Sequence, residues 1–226
     1  MRESILTIPV SEIFEPKCGC PICTMRDMLE QRTVDYIMGA AMMEPDVRIE
    51  TNKQGFCKTH FEQMRACKNR LSLALMLQTH LQTLDKEIFS RKSIFEGKTA
   101  KQKKVSVINN DCFVCNKIEW GMSRLMVTTL ELFSKQADFR KLFAEQEMLC
   151  LPHYDLLVSM SESVDKASRS AFIDCCNSLV KKQLDLLIED VSHYCNMYDY
   201  RNSGKDGDWK NSKDSIERAI KFLTTR

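Results

Sequence analysis

Two copies of one ligand pattern constrain this chain more than anything else in it. Cys20 and Cys23 are followed by Cys57 and His60, and Cys112 and Cys115 by Cys150 and His153. Each copy is a CxxC and then a CxxH, with 34 positions from Cys23 to Cys57 and 35 from Cys115 to Cys150. With 11 Cys and 4 His among 226 residues, chance alone supplies about 0.2 CxxH matches. The chain has two, matched in spacing, and an internal duplication is the simplest reading.

Thiolate and imidazole in such pairs are the donors that tetrahedral zinc prefers. The expectation is two closed Cys3His sites, one per copy: Cys20, Cys23, Cys57 and His60 in the first, Cys112, Cys115, Cys150 and His153 in the second. A closed tetrad holds a fold together and leaves no position for substrate, so the metal is expected to be structural. A CxxC at a helix start aims two sulfurs at one ion while the first-turn N–H groups, which lack intrahelical partners, can donate to the thiolates. A CxxH at the head of a later helix does the same, and Pro152 suits a first-turn position that needs no donor. Zinc is favoured over an iron–sulfur cluster, which Cys and His can also hold. Thr24 and Asn116 follow the two CxxC motifs where covalent haem attachment needs His, and no βαβ context supports a thioredoxin-like dithiol.

Only 7 Gly and 5 Pro accompany 43% hydrophobic and 28% charged residues, a mixture that favours helices over turn-rich sheet. The expected fold is all-α, two tandem helical repeats each pinned by its own zinc site. A first helix is expected from about Cys20 to Met43 and a short element after Pro45. Leu73, Leu77, Leu81, Leu84 and Ile88 continue a helical stripe broken near Asn69. Residues 96–110 carry four lysines against one glutamate and read as a linker. The second copy repeats the plan, its longest helix over Phe172 to Tyr200, before a polar loop and a closing helix starting near Asn211 or Ser212. The expected organisation is thus 1–95 and 111–200 as the two repeats, 96–110 as linker, and 201–226 as a C-terminal loop and helix.

A formal charge of +2 gives no chain-wide drive toward nucleic acid or an anionic membrane, which leaves the central lysines as a weaker nucleic-acid reading. MRESILTIPV lacks the basic start and apolar core of an export signal, no stretch has the length of a membrane span, and many cysteines suit a reducing compartment, so a cytoplasmic protein is expected. Beyond the tetrads, Cys18 is a candidate free nucleophile. Cys67, Cys175, Cys176 and Cys195 fall in apolar helical patterns and read as buried packing groups. His80 and His193 read as surface or satisfied histidines. Two polar stretches, 43–52 and 200–214, interrupt apolar sequence. Arg48, Arg201, Lys205, Trp209 and Lys213 could form an anion-binding or stacking surface there, with Glu44, Asp46 and Asp199 as acids. No phosphate loop, nucleophile elbow or HExxH is present, so no standard enzyme class is signalled.

The stretch MMEPDVRIETNKQGFCKTHF, the two CxxC and CxxH sets, and the ending YDYRN with DWKNSKDSIERAIKFL together resemble the bacterial domain-of-unknown-function family 6062 over nearly the whole chain. The resemblance implies a bacterial cytoplasmic protein, supplies no activity, and adds weight to the two polar stretches. The leading expectation is a zinc-stabilised helical binding module for a protein or small-molecule partner. The alternative is an enzyme or thiol-based sensor using Asp46, Arg48 and Arg201 or a nonligand cysteine.

Overall fold

A computed structural model describes residues 7–89, 98–198 and 209–224. Among them all regular structure is helical, as composition and periodicity lead one to expect. The helices are α1 (Thr7–Phe14), α2 (Pro21–Met38), α3 (Pro45–Gln54), α4 (Lys58–Ala66), α5 (Arg70–Phe89), α6 (Lys98–Asn110), α7 (Phe113–Lys135), α8 (Ala137–Ala144), α9 (Leu151–Ser159), α10 (Arg169–Met197) and α11 (Ser215–Thr224). Short 3-10 turns follow α2 (Ala40–Met43) and α9 (Ser161–Ser163). Two compact units divide the chain: residues 26–123 form one, and residues 1–25 with 124–226 form the other. From their order along the chain alone, the continuous segment being inserted between the two parts of the other, we call them the inner and outer units. Their boundaries fall inside α2 and α7 and do not follow the two sequence copies, whose junction lies within the inner unit.

The inner unit packs around Val34, Ile37 and Met38 of α2, Met42, Met64 of α4, Met76 of α5, and Phe113, Val114 and Ile118 of α7. Unbranched methionine side chains suit the irregular gaps between the helices of this cluster. Local chemistry sets each boundary. Pro45 opens α3 after an extended Glu44, because its fixed φ suits the first turn and its missing N–H is no loss there. Gly55 ends α3 at φ 65°, a left-handed conformation that favours glycine. Asn69 starts α5 as an N-cap, its Oδ1 accepting from Ser72 N at 3.2 Å while its Nδ2 donates to Met38 O at 3.1 Å, which accounts for the break between α4 and α5. The lysine-rich segment expected to be a linker is instead helix α6 over 98–110. Lys, Gln and Ala are good helix formers even where little apolar periodicity announces them.

In the outer unit phenylalanines dominate the core. Phe14 of α1 lies 5.1 Å from Phe139 and 5.5 Å from Phe143, ring centre to ring centre, and Phe133 and Phe172 continue the cluster at 5.0 Å from each other. Such edge and offset contacts add to simple area burial. Leu149, Leu157, Cys176, Leu179 and Phe222 complete the interior. The longest helix, α10, spans 29 residues and holds α11 through an Asp190 to Arg218 ion pair at 2.9 Å. The closing helix begins at Ser215, a few residues later than expected. Ser212 is buried and its hydroxyl donates to Trp209 O at 2.7 Å, forming a turn ahead of the helix.

Candidate metal centres

Four helix N-termini carry the eight ligand-type residues, all in one frame. Cys57 is the N-cap of α4 and Cys150 that of α9, with His60 and His153 at the third helical position. Cys20 stands immediately before α2 and Cys112 before α7, with Cys23 and Cys115 at the same third position. The backbone closes each first turn onto the leading cysteine: Thr24 N to Cys20 O, Phe61 N to Cys57 O, Asn116 N to Cys112 O and Tyr154 N to Cys150 O, at 2.9–3.2 Å. The residue at the cap and the one a turn later face the same side, so each helix head presents two donors where its dipole favours negative charge.

The grouping of these donors corrects the expected pairing. Cys20 and Cys23 converge with Cys150 and His153, while Cys57 and His60 converge with Cys112 and Cys115. Each CxxC meets the CxxH of the other sequence copy. The first tetrad lies wholly in the outer unit and the second wholly in the inner unit. In both, the four ligand atoms lie within 4.8 Å of one another.

Hydrogen bonds beside the tetrads explain the crossing. In the outer unit Lys17 Nζ donates to Glu145 at 2.6 Å, Gly19 N to Glu147 Oε2 at 2.5 Å, and the buried Gln146 Nε2 to Phe14 O at 2.8 Å. Residues 14–19 are thereby laid along the loop that precedes Cys150. In the inner unit Phe113 N donates to Gly55 O at 3.0 Å and Asn116 Nδ2 to Gln54 Oε1 at 2.9 Å, laying the head of α7 along the loop that precedes Cys57. Gln54 and Glu147 hold the same place, three residues before the CxxH cysteine, and both accept from the segment carrying the opposite CxxC.

The distances fit a mononuclear tetrahedral ion. Zinc–sulfur arms of 2.3 Å and zinc–nitrogen arms of 2.0–2.1 Å give S···S edges of about 3.8 Å and S···N edges of about 3.6 Å. In the outer tetrad Cys23 to Cys150 is 3.6 Å and Cys20 to Cys150 is 3.7 Å, and His153 Nδ1 lies 3.1–3.6 Å from the three sulfurs. In the inner tetrad Cys57 to Cys115 is 4.0 Å and His60 Nδ1 lies 3.1–3.5 Å from the sulfurs. These separations are far too long for disulfides. An iron–sulfur cluster spreads its ligands over several separated irons, whereas these converge on one point.

Surroundings distinguish the two tetrads. All four outer residues are buried, while Cys57 and Cys115 of the inner tetrad are half-buried. Behind His60 the buried Glu30 of α2 approaches Nε2 at 2.9 Å, the carboxylate–histidine arrangement that fixes the tautomer of a metal-ligating imidazole and raises its basicity. Sequence reasoning missed Glu30. Its only signal is its place on α2 two turns beyond Cys23, where any helical face would be equally eligible. The outer thiols share protons unevenly. Hydrogen bonds from Cys150 and Cys23 stabilise the Cys20 thiolate and lower its pKa, whereas the Cys23 thiol is pushed up as the donor in that network and by burial. Burial opposes charge on His153, but hydrogen bonds to Cys150 and Cys20 and their negative charge outweigh it and raise its pKa to about 9. In the inner tetrad burial, followed by the charge of Cys112, pushes Cys115 up to about 12. A divalent cation is what displaces such protons and relieves the crowding of negative charge.

The other singled-out residues serve packing more than a shared pocket. Glu44 is the N-cap residue of α3 and its Oε2 accepts from Tyr36 OH at 3.3 Å; Asp46 is exposed in the first turn. Arg48 Nη2 donates to Leu75 O at 2.6 Å and Thr79 Oγ1 at 2.5 Å, and burial lowers its pKa. With Thr79 bonded to Asn52 Oδ1 and His80 Nδ1 to Asn52 O, this arginine belongs to a clamp of α3 on α5. His80 is accordingly a satisfied histidine. Trp209 packs edge-on against Tyr194 and Tyr198 at 5.6 Å, and Lys213 is exposed in the turn before α11. Arg201, Lys205 and Asp199 lie outside the described residues. Cys176 is buried as expected, Cys67 and Cys175 are half-buried, and Cys195 is exposed, correcting its reading as a buried group. It sits on the solvent side near the end of α10. Cys18 is exposed.

An all-helical protein with two Cys3His clusters at its helix heads is the class that the geometry defines. The chain belongs to the family of unknown function DUF6062, which matches residues 1–226. No curated protein and no solved structure matches it. Among the described residues no helix is long and apolar enough to cross a membrane.

Proposed function

We propose that this protein is a zinc-stabilised helical binding module whose two metal ions are structural. The observation that carries the reading is the pair of closed tetrads, each with four protein donors at tetrahedral spacing on two helix heads. Cys20, Cys23, Cys150 and His153 would hold one zinc ion, and Cys57, His60, Cys112 and Cys115 the other. With every tetrahedral position taken by protein, the ion supplies folding energy and no open site for chemistry. The same donors speak for zinc over iron, and the free thiols for a reducing, cytoplasmic setting. Elemental analysis of protein purified without added metal tests the proposal. Two zinc ions per chain are expected, and a chain that is fully folded and free of transition metal after treatment with strong chelator would overturn it.

A second reading, a thiol-based sensor, draws on the half-buried Cys57 and Cys115. In that case mild peroxide would release one zinc per chain with loss of two titratable thiols, and reductant would restore both. Zinc retained under peroxide excludes it.

A further inference from the structure

We infer that a cleft between α2 and α7 of the inner unit binds a planar ring compound bearing an acidic group. The inference rests on the binding-module reading, to which it gives a site and a ligand class. The cleft encloses about 300 Å³, the lower end of small-molecule sites and room for one ring system rather than a folded partner. Its floor is apolar, made by Leu29 and the buried Phe113. Gly121 lets α7 pack closely against Leu29, since a Cβ there would stand 2.9 Å from Leu29 Cδ1. Two large aromatics line the cleft while remaining wet, Trp120 at 60% and Tyr36 at 50% exposure. The charged lining residues are both cations, Arg32 and Lys117, with the Lys117 ammonium 5.4 Å from the centre of the Phe113 ring.

Each feature selects part of the ligand. Exposed indole and phenol rings over an apolar floor favour a flat, polarisable body that can stack or lie edge-on. Two cations lining a mostly apolar cleft favour a carboxylate or phosphate, for which Arg32 offers a planar fork and Lys117 a point charge. Glu44 engages the Tyr36 hydroxyl at 3.3 Å, which steadies that ring without placing a carboxylate among the lining residues. The cleft adjoins the second metal centre through Phe113, the neighbour of Cys112, so the ion that fixes the head of α7 also fixes one wall.

The test uses the full zinc-loaded chain with Trp209→Phe, which leaves Trp120 as the sole tryptophan reporter. Fluorescence is titrated with adenosine monophosphate and with benzoate, and with adenosine and inorganic phosphate as the ring and the acid alone. A saturable change with the monophosphate, with benzoate or with both is expected, together with at least tenfold weaker response to adenosine and to phosphate. The monophosphate against benzoate decides between a phosphate and a carboxylate source. Arg32→Ala and Lys117→Ala should each weaken binding about tenfold or more, the loss expected for a charge-assisted hydrogen bond. Trp120→Ala, read by calorimetry, should weaken it by a similar factor. Both cations are exposed, so these variants should keep two zinc ions per chain. Adenosine binding as well as its monophosphate, affinity unchanged in both cation variants, binding only to a single-stranded oligonucleotide, or no binding at millimolar ligand with two zinc ions present overturns the inference. Loss of zinc from the parent protein would instead sink the metal reading.

Discussion

The two Cys3His clusters share one plan and differ in how far solvent reaches them. In the outer unit all four donors are buried; in the inner unit Cys57 and Cys115 are half-buried and Glu30 stands behind the histidine. The same donor set can therefore serve two degrees of permanence. A sealed tetrad must open its unit before it loses an ion, whereas a half-exposed one can lose an ion through local motion alone. Glu30, 2.9 Å from His60 Nε2, is placed to offset part of that exposure by orienting His60 toward a bound ion. The buried carboxylate thus sits at the cluster with the weaker seal.

Removing a sealed donor should have the largest effect. Structural zinc contributes on the order of 10–16 kcal/mol of apparent binding energy, against a net stability of roughly 5–15 kcal/mol for a typical domain. Cys150→Ser should unfold the outer unit, reduce zinc from two per chain to one, and leave the inner tetrad loaded, as read by elemental analysis and circular dichroism. Unchanged stoichiometry would remove Cys150 from a site. Cys57→Ser tests the crossing itself. After alkylation and mass mapping, Cys112 and Cys115 should become reactive while Cys20 and Cys23 stay protected. Labelling of Cys20 and Cys23 instead would restore the pairing within each sequence copy.

Glu30→Gln comes next. It keeps shape and a hydrogen bond to His60 but removes the charge, and loss of such a carboxylate typically costs 10–100-fold in metal affinity. Competition with a fluorescent chelator should show that loss for one ion and none for the other. Equal weakening of both would mean that Glu30 acts through general stability. Chelation kinetics of the unaltered protein should be biphasic as well, the inner ion leaving about tenfold faster or more, since each 1.4 kcal/mol of easier opening is tenfold. A single phase accounting for both ions would erase the distinction drawn from burial.

Helix content and the eight Cys and His residues that cluster at helix heads were legible because both are local. CxxC and CxxH at helix heads need only a few residues of context, and the breaks at Pro45, Gly55 and Asn69 follow from their own backbone and side-chain chemistry. Which CxxC meets which CxxH was not legible. Both pairings present the same local motif, and joining Cys23 to Cys150 rather than to Cys57 costs only about 1 kcal/mol more in loop closure. Contacts such as Gly19 N to Glu147 and Asn116 to Gln54 decide it, and they rest on single backbone or side-chain groups with no periodic signature. Arg48 illustrates the same gap. A lone arginine in a polar stretch looks like an anion site until the backbone carbonyl of Leu75 is seen to accept from it.

The mildest difference between the units should emerge only in alkali. Burial pushes Cys175 up to about 11, and burial with the neighbouring Cys175 charge pushes Cys176 up to about 12, both from an ordinary 9.0. These groups lie on α10 of the outer unit and prefer the protonated form more strongly when folded. A raised folded-state pKa makes their contribution fully present below pH 9 and lost as pH climbs through 11 and 12, because deprotonation then favours the unfolded chain. Denaturant midpoints should be flat through neutrality and fall above pH 9, more steeply for the outer unit than metal loss explains. Cys176→Ala removes the more buried titration at the cost of a small packing defect. Its midpoint should begin lower at pH 7 and decline less between pH 9 and 12, while an unchanged alkaline slope would show that the helix opens before either thiol ionises.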